Sequence, residues 1–426
     1  MTATTTTPAK QGGFHYAYLI VAACVCMCAA CSLVVNCVGI YAQSVTTYFG
    51  VATAQYMLYF TIVQLTMTIT LPIWGKILNS IDLRAGFTAG AILIAVGNLV
   101  LSFAQSIWMF YVGGVLLGAG VTPLLFLAVP KLLGAWCAKR VGFFTGLALA
   151  FTGVGGVIFN PVQNVFIQMG PEGWRTGYLV AAVIMLVLTL PFTIFVVRNS
   201  PADKGLEPYG YDPNATEDKS TADMNKGTMA NKAMKTAAFF AIAIFGGLIA
   251  LNQTVYQFLP KYVSSFTDMP NIVALSAVIA SVTMAGLSIG KVVLGAINDK
   301  SPRFGVFFSI GLGVVGVLLM LLFPSVAPLL LIGGFFFGFV YAATTVETTL
   351  LTRSVFGNRD YATIYSRVSV VSSLGGAVAA TLWGIVVDLP NGFQLMFVIS
   401  LVVMIVAFLL AMFSLSQAHK YANATD

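Results

Sequence analysis

The chain has 426 residues, of which 58% are hydrophobic and only 8% charged, with a mean hydropathy of +0.92. A water-facing surface carries charge on about a quarter of its residues, so this composition excludes a soluble globular domain. The formal charge of +7 is then read as Lys and Arg in loops on one face of a membrane, not as a nucleic-acid footprint.

In chain order, residues 1–15 form a polar, Thr-rich tail. Apolar runs long enough to cross a bilayer, about 20 residues each, follow at 16–40, 53–74, 86–104, 106–133, 142–168 and 175–197. The first is too long for a signal-peptide core and reads as a retained helix. Residues 199–235 are polar, with Asp203, Glu207, Asp212, Glu217, Asp218 and Asp223 among lysines. That composition predicts a mobile cytoplasmic linker with a short surface helix. A second set of runs follows at 237–260, 272–296, 304–323, 326–351, 362–387 and 392–416, before a tail at 417–426.

The runs lack the period-2 alternation of barrel strands, so the expected fold is an all-α membrane protein with twelve transmembrane helices. The expected division is two six-helix bundles, 16–198 and 236–416. One set of loops carries Lys76, Arg84, Lys139, Arg140, Lys300, Arg303, Arg353 and Arg359, while the opposite set carries Arg175 and Lys261. This asymmetry predicts a multi-pass protein of a bacterial inner membrane with both termini cytoplasmic.

The two sets repeat at a constant offset of 220 residues. Gly75 matches Gly295, Gly114 and Gly118 match Gly334 and Gly338, Lys139 matches Arg359, and Gly155-Gly156 match Gly375-Gly376. Duplicated halves of this kind enclose a site near the midplane. The glycine pairs Gly114/Gly118, Gly142/Gly146, Gly286/Gly290 and Gly334/Gly338 are spaced for close helix packing.

Other motifs carry no chemistry. Five of six cysteines, Cys24, Cys26, Cys28, Cys31 and Cys37, lie in the first run without a second CxxC, and the two histidines, His15 and His419, lie outside the helices. No metal or cofactor is expected from them. The GxSxG match at Gly286 to Gly290 lies inside a membrane helix with no histidine as base. Gly153-Val-Gly155-Gly156 lacks the GK[ST] of a phosphate loop, so no ATP site and no enzyme are expected.

Three charges lie well inside apolar runs: Lys291, Glu347 and Arg367, with Lys131 near a helix end. A charge at the bilayer centre costs about 2.5–3.5 kcal/mol on insertion scales, so each is expected to face a wet cavity or a partner. Their equivalents at the 220-residue offset are Leu71, Leu127 and Leu147, which points to charges added to one half for a ligand. Lys291 either binds that ligand or snorkels to headgroups. Glu347 either carries a coupling proton or joins a salt-bridge network with Arg353. Neutral lining is expected from Asn36, Gln43, Tyr59, Gln64, Asn160, Asn164, Asn252, Gln253 and Tyr256.

The loop Gly295-Ala-Ile-Asn-Asp299-Lys300-Ser-Pro-Arg303 resembles the signature loop of the major facilitator superfamily; its first-half counterpart, Gly75 to Arg84, has Asn79 where the Asp would stand. Trp136-Cys-Ala-Lys139-Arg140-Val-Gly142-Phe-Phe-Thr-Gly146, Pro161, Gly173-Trp174-Arg175, Ser200-Pro201-Ala-Asp203-Lys-Gly205 and Phe356-Gly357 resemble the monocarboxylate transporter and oxalate:formate antiporter branch. The resemblance implies two pseudo-symmetric bundles and a basic residue at the place of Lys291 that binds the substrate carboxylate. Lysine there acts as a point charge without arginine's fork. It implies a second basic residue near Arg367, and places Asp299 with Glu347 and Arg353 among proton-coupling or charge-network candidates. The lysine that animal monocarboxylate carriers place in the first helix is absent; Asn36 and the cysteines stand there. The expected function is proton-coupled transport of a small organic anion, a monocarboxylate, by alternating access, with protons and the bilayer as partners and a monomeric state. The alternatives are an oxalate:formate-like exchanger and a non-transporting membrane sensor on the same fold.

Overall fold

A backbone in hydrocarbon finds no water for its N–H and C=O groups, so each apolar run closes its hydrogen bonds within itself as a helix. The computed structural model describes residues 15–211, 227–266, 272–298 and 300–421. Among the described residues twelve helical spans are long and apolar enough to cross a membrane. The first six are α1 (Ala17–Phe49), α2 (Thr53–Ser80), α3 (Leu83–Ser102), α4 (Ile107–Trp136), α5 (Val141–Ile167) and α6 (Gly173–Val196). The last six are α7 (Ala237–Ser264), α8 (Ala274–Asn298), α9 (Pro302–Leu322), α10 (Ala327–Phe356), α11 (Thr363–Val387) and α12 (Gly392–Tyr421). The chain is a multi-pass, all-helical membrane protein.

Three spans depart from regular helix in their interiors. The first run was expected to end at 40, but α1 continues to Phe49 after a break at Asn36 and Cys37. Its counterpart α7 tightens into a 3-10 segment at Thr254–Phe258. In α4, Pro123 cannot donate to the ladder and the helix widens into a π segment at Thr122–Leu127.

The packing list of the first six helices recurs in the last six. α1 packs on α5 and α6, α2 on α4, and α3 on α4 and α6; α7 packs on α11 and α12, α8 on α10, and α9 on α10 and α12. The two groups meet along α5 against α8 and α2 against α11. Glycines set the spacing within each group. A Cβ on Gly118 would lie 2.5 Å from the Val63 carbonyl oxygen, and one on Gly338 would lie 2.4 Å from that of Thr283. A Cβ on Gly286 would lie 2.1 Å from the Phe335 carbonyl oxygen, which belongs to backbone and cannot swing aside. Gly286→Ala is therefore expected to destabilise the protein by about 1–3 kcal/mol, read as a lower melting temperature in detergent. Gly142 and Gly146 differ from the expected packing role: a Cβ on either meets open space.

The described ends of the linker are fastened rather than loose. Tyr209 receives the Ala138 amide at 2.9 Å and donates its own to the Trp136 carbonyl at 2.8 Å. After the 3-10 turn Pro201–Lys204 this ties the linker's start to the loop between α4 and α5. The Thr228 amide donates to the Phe356 carbonyl at 2.9 Å, and the Ala230 amide to an Asp360 carboxylate oxygen at 2.8 Å, just before the short helix Ala230–Ala233. Asp212, Glu217, Asp218 and Asp223 lie outside the described residues.

Candidate functional site

The break in α1 makes the centre of the molecule. Because the helix stops at Asn36 and restarts at Val38, the Asn36 carbonyl has no helical partner and accepts the Tyr256 hydroxyl from α7. These two positions are equivalents at the 220-residue offset, and they meet across the seam. The Asn36 side chain is buried and fully used. Its Nδ2 donates to Ser32 Oγ at 3.1 Å and to the Thr152 carbonyl of α5 at 2.9 Å, while its Oδ1 accepts from the Tyr341 hydroxyl of α10 at 2.9 Å. Asn160 of α5 closes the ring, donating to Tyr256 Oη at 3.1 Å. One residue thus joins four helices. Asn36→Ala would strand a hydroxyl and a carbonyl in the interior, at about 1–3 kcal/mol for each buried group left unpaired, measured as a fall in melting temperature.

Toward the side away from the described termini, here the distal side, the seam is sealed. The Gly39 amide donates to Gln257 Oε1 at 3.0 Å, and Gln257 Nε2 donates to the Val35 carbonyl at 2.7 Å. Thr61 and Thr381 hydroxyls pair at 2.9 Å, and the Ala54 amide donates to Asp388 at 3.1 Å. Toward the terminal side the seam splays. One stripe of α11 faces α2 at helical spacing: Ser366, Val370, Ser373, Ala377, Thr381 and Gly384. Its first three members are exposed, whereas Ala377 and Gly384 are buried. The result is a wedge between the groups, closed at the distal end and at the Asn36 centre.

Lys291 stands on α8 at the seam with α5. It lies seven residues, roughly 10 Å, above the end of α8. Its Nζ crosses the seam to the Leu149 carbonyl at 3.3 Å and Thr152 Oγ1 at 3.4 Å on α5. Among the described residues no carboxylate comes within ion-pair distance of it. The ammonium therefore has two long hydrogen bonds to neutral acceptors and no counter-charge in a medium where charge is costly.

The other expected site residues are spread out. Glu347 of α10 is fully buried, but it accepts from Asn298 Nδ2 of α8 at 2.8 Å, and its second oxygen has no partner among the described residues. The expected network with Arg353 is not formed, since Arg353 Nε donates to Asn358 at 2.7 Å instead. Six residues along a helix is not a same-face spacing, so Glu347 and Arg353 point to different sides. Arg367 is exposed and shares the stripe of Leu374, Val378 and Ile385, which are 50%, 43% and 51% exposed. The last two lie at the depth where the seam is sealed, so the stripe faces lipid, not the wedge. No contact between Arg367 and Lys291 is formed among the described residues. Asp299 lies outside the described residues. Tyr59 packs in an aromatic cluster of the first group, 5.1 Å from Tyr56 and 5.6 Å from Phe110 between ring centroids. Asn252 faces α12, accepting from Ser400 Oγ at 2.6 Å. Both are buried within one group rather than at the seam.

Two central residues escaped the sequence reading. Tyr341 carried a usable signal: it follows Gly338 by three residues, on the face that packs against the helix of Lys291. Thr152 carried none, since it contributes a main-chain carbonyl and a hydroxyl that any helical threonine has.

Comparison with known proteins agrees with this architecture. The Major Facilitator Superfamily family model matches residues 18–303 and 271–425. Monocarboxylate transporter 12 of Rattus norvegicus is 27% identical over 174 residues, 41% of this chain and 35% of that protein. The chain thus spans about a third of that relative's length. Multidrug resistance protein MdtG of Proteus mirabilis is 23% identical over 281 residues, 64% of this chain and 62% of that protein. Among solved structures, a bacterial homologue of the human lysosomal transporter Spinster, inward-facing and unoccupied, aligns with a TM-score of 0.73 at 14% identity, covering 96% of this chain and 99% of that one. Nucleoside transporter NupG aligns with a TM-score of 0.70 at 12% identity, covering 92% and 99%. At such identities these structures speak for the fold alone.

Proposed function

The chain belongs to the Major Facilitator Superfamily of transporters, and on that premise we propose that it is a secondary active carrier of small organic anions, with monocarboxylates as the class it moves. The observation that carries this reading is Lys291, a seam-crossing ammonium with no carboxylate among its described neighbours. A cation kept in low dielectric without a counter-charge is compensated when an anion enters the wedge. Arg367 takes no part, so the carboxylate is held by one point charge and by neutral donors around it. The partial likeness to monocarboxylate transporter 12 supports the same class. The wedge opens toward the cytoplasm of a bacterial-type inner membrane, an orientation supported by Lys76, Lys139, Arg140, Lys300, Arg303, Arg353 and Arg359 on the terminal side.

Uptake of a panel of radiolabelled monocarboxylates and dicarboxylates into proteoliposomes tests the proposal. Flux of at least one of them that disappears in Lys291→Gln is expected; absence of flux for every carboxylate would leave only the scaffold.

Proton coupling is assigned to Glu347, on the ground that it is buried with an asparagine and, among the described residues, has an orphaned oxygen and no cation paired with it. Glu347→Gln keeps the Asn298 contact but cannot exchange a proton. It is expected to lose acceleration by an imposed proton gradient while exchange against internal anion continues. Unchanged acceleration in the variant would remove Glu347 from the coupling and favour an oxalate:formate-like exchanger.

A further inference from the structure

On the distal side of the seal, a cavity of about 200 Å³ lies between the two groups. Its walls come from α1, α5, α7 and α8, and include Gln43, Ser44, Asn164, Lys261, Ser264 and Ser276. Among the described residues Lys261 is the one charged residue in the wall, and no carboxylate lines it. Among the described residues the acid that acts on Lys261 is Asp388, which spends a carboxylate oxygen on the Ala54 amide. The Lys261 ammonium donates to Thr53 Oγ1, which uses one of its three N–H bonds. The floor of the cavity is Gly39, whose amide is held by Gln257. Immediately beyond that floor stand Asn36 and Tyr256, and beyond them Thr152 and Lys291.

We infer that this cavity is a second anion site, in series with Lys291, where a small carboxylate rests against Lys261 before the Gly39–Gln257 and Asn36–Tyr256 layer parts. The two sites share a design. Each has a single lysine supplied by the last six helices, faced by neutral polar groups of the first six, and only one layer of hydrogen bonds separates them. A volume of this size admits a carboxylate of a few heavy atoms and excludes bulky drugs. The inference rests on the anion-carrier reading for its biological sense, but its chemistry can be tested without transport.

Gln43, exposed at the cavity, is replaced by cysteine in the full-length protein, with the unaltered protein as the blank for its buried native thiols. The rate of modification is compared for an anionic and a cationic methanethiosulfonate of matched size. One unit charge nearby is expected to favour the anionic reagent about tenfold. Adding Lys261→Gln is expected to abolish that preference. Acetate, lactate and oxalate are tried as protectants; at least one is expected to slow the anionic reagent, and Ser264→Leu, which fills the cavity but leaves the Lys261–Thr53 contact, to remove the protection. Equal rates for the two reagents, a cationic preference, or protection by none of the three anions overturns the site. Protection without carboxylate flux in proteoliposomes retains the site and removes the carrier reading; flux without protection does the reverse.

Discussion

Replacing Lys291 with Gln is expected to lower kcat/KM for carboxylate uptake about a hundredfold while leaving the protein as stable as before or more so. Truncating one partner of a buried, charge-assisted contact costs about 2–5 kcal/mol, and each 1.4 kcal/mol is tenfold. In the anion-bound state that loss falls on the cargo. In the anion-free structure the amine has only long contacts at 3.3 and 3.4 Å and no ion pair among the described residues, so removing the charge relieves a desolvation cost. The pairing of lost transport with retained melting temperature separates an anion-binding lysine from a structural one. Lys291→Arg restores the cation and is expected to recover part of the flux. Normal flux in Lys291→Gln would end the anion assignment.

Gly146→Leu is expected to fold normally and to transport at a rate lower by about ten- to a hundredfold. The α5–α8 seam runs antiparallel in register: Gly156 lies against Met284, Gly153 against Ser288, and Leu149 against Lys291. The next pair in that register is Gly146 with Gly295, and a Cβ on either meets nothing within 4 Å. In the sealed part of the seam the approach is so close that a Cβ on Gly153 would stand 2.1 Å from Ser288 Oγ. Closing the terminal side to the same spacing leaves no room for a leucine at 146. Overpacking of this kind costs about 1–3 kcal/mol, all of it in the closed form. The open form is held and alternating access stalls. Gly295→Leu tests the same contact from the other helix; full flux in both variants would mean that the wedge does not close along this register.

The repeat and the glycine spacings were legible because they are properties of the chain itself. The offset of 220 residues even marks Asn36 and Tyr256 as equivalents, although it does not announce that they touch. The site was legible in kind but not in membership. Lys291 and Arg367 look alike in sequence, two basic residues inside apolar runs, and only the rotation of their helices makes one cross the seam and leaves the other exposed. Glu347 and Arg353 were separable from spacing alone, because six residues apart do not share a helix face. Tyr341 was within reach of the same reasoning; Thr152 was not.

What the sequence determined by itself was the solvent of the fold, the helical state and the number of its spans. These follow from hydropathy and backbone hydrogen bonding, which act locally on each segment. The tertiary structure alone decided which helix faces meet, where the seam is sealed and where it gapes, and which of the three charges inside apolar runs reaches across the seam. Such facts depend on the rotation and register of packed helices, and a turn of 100° per residue moves a side chain from cavity to lipid without altering the composition around it.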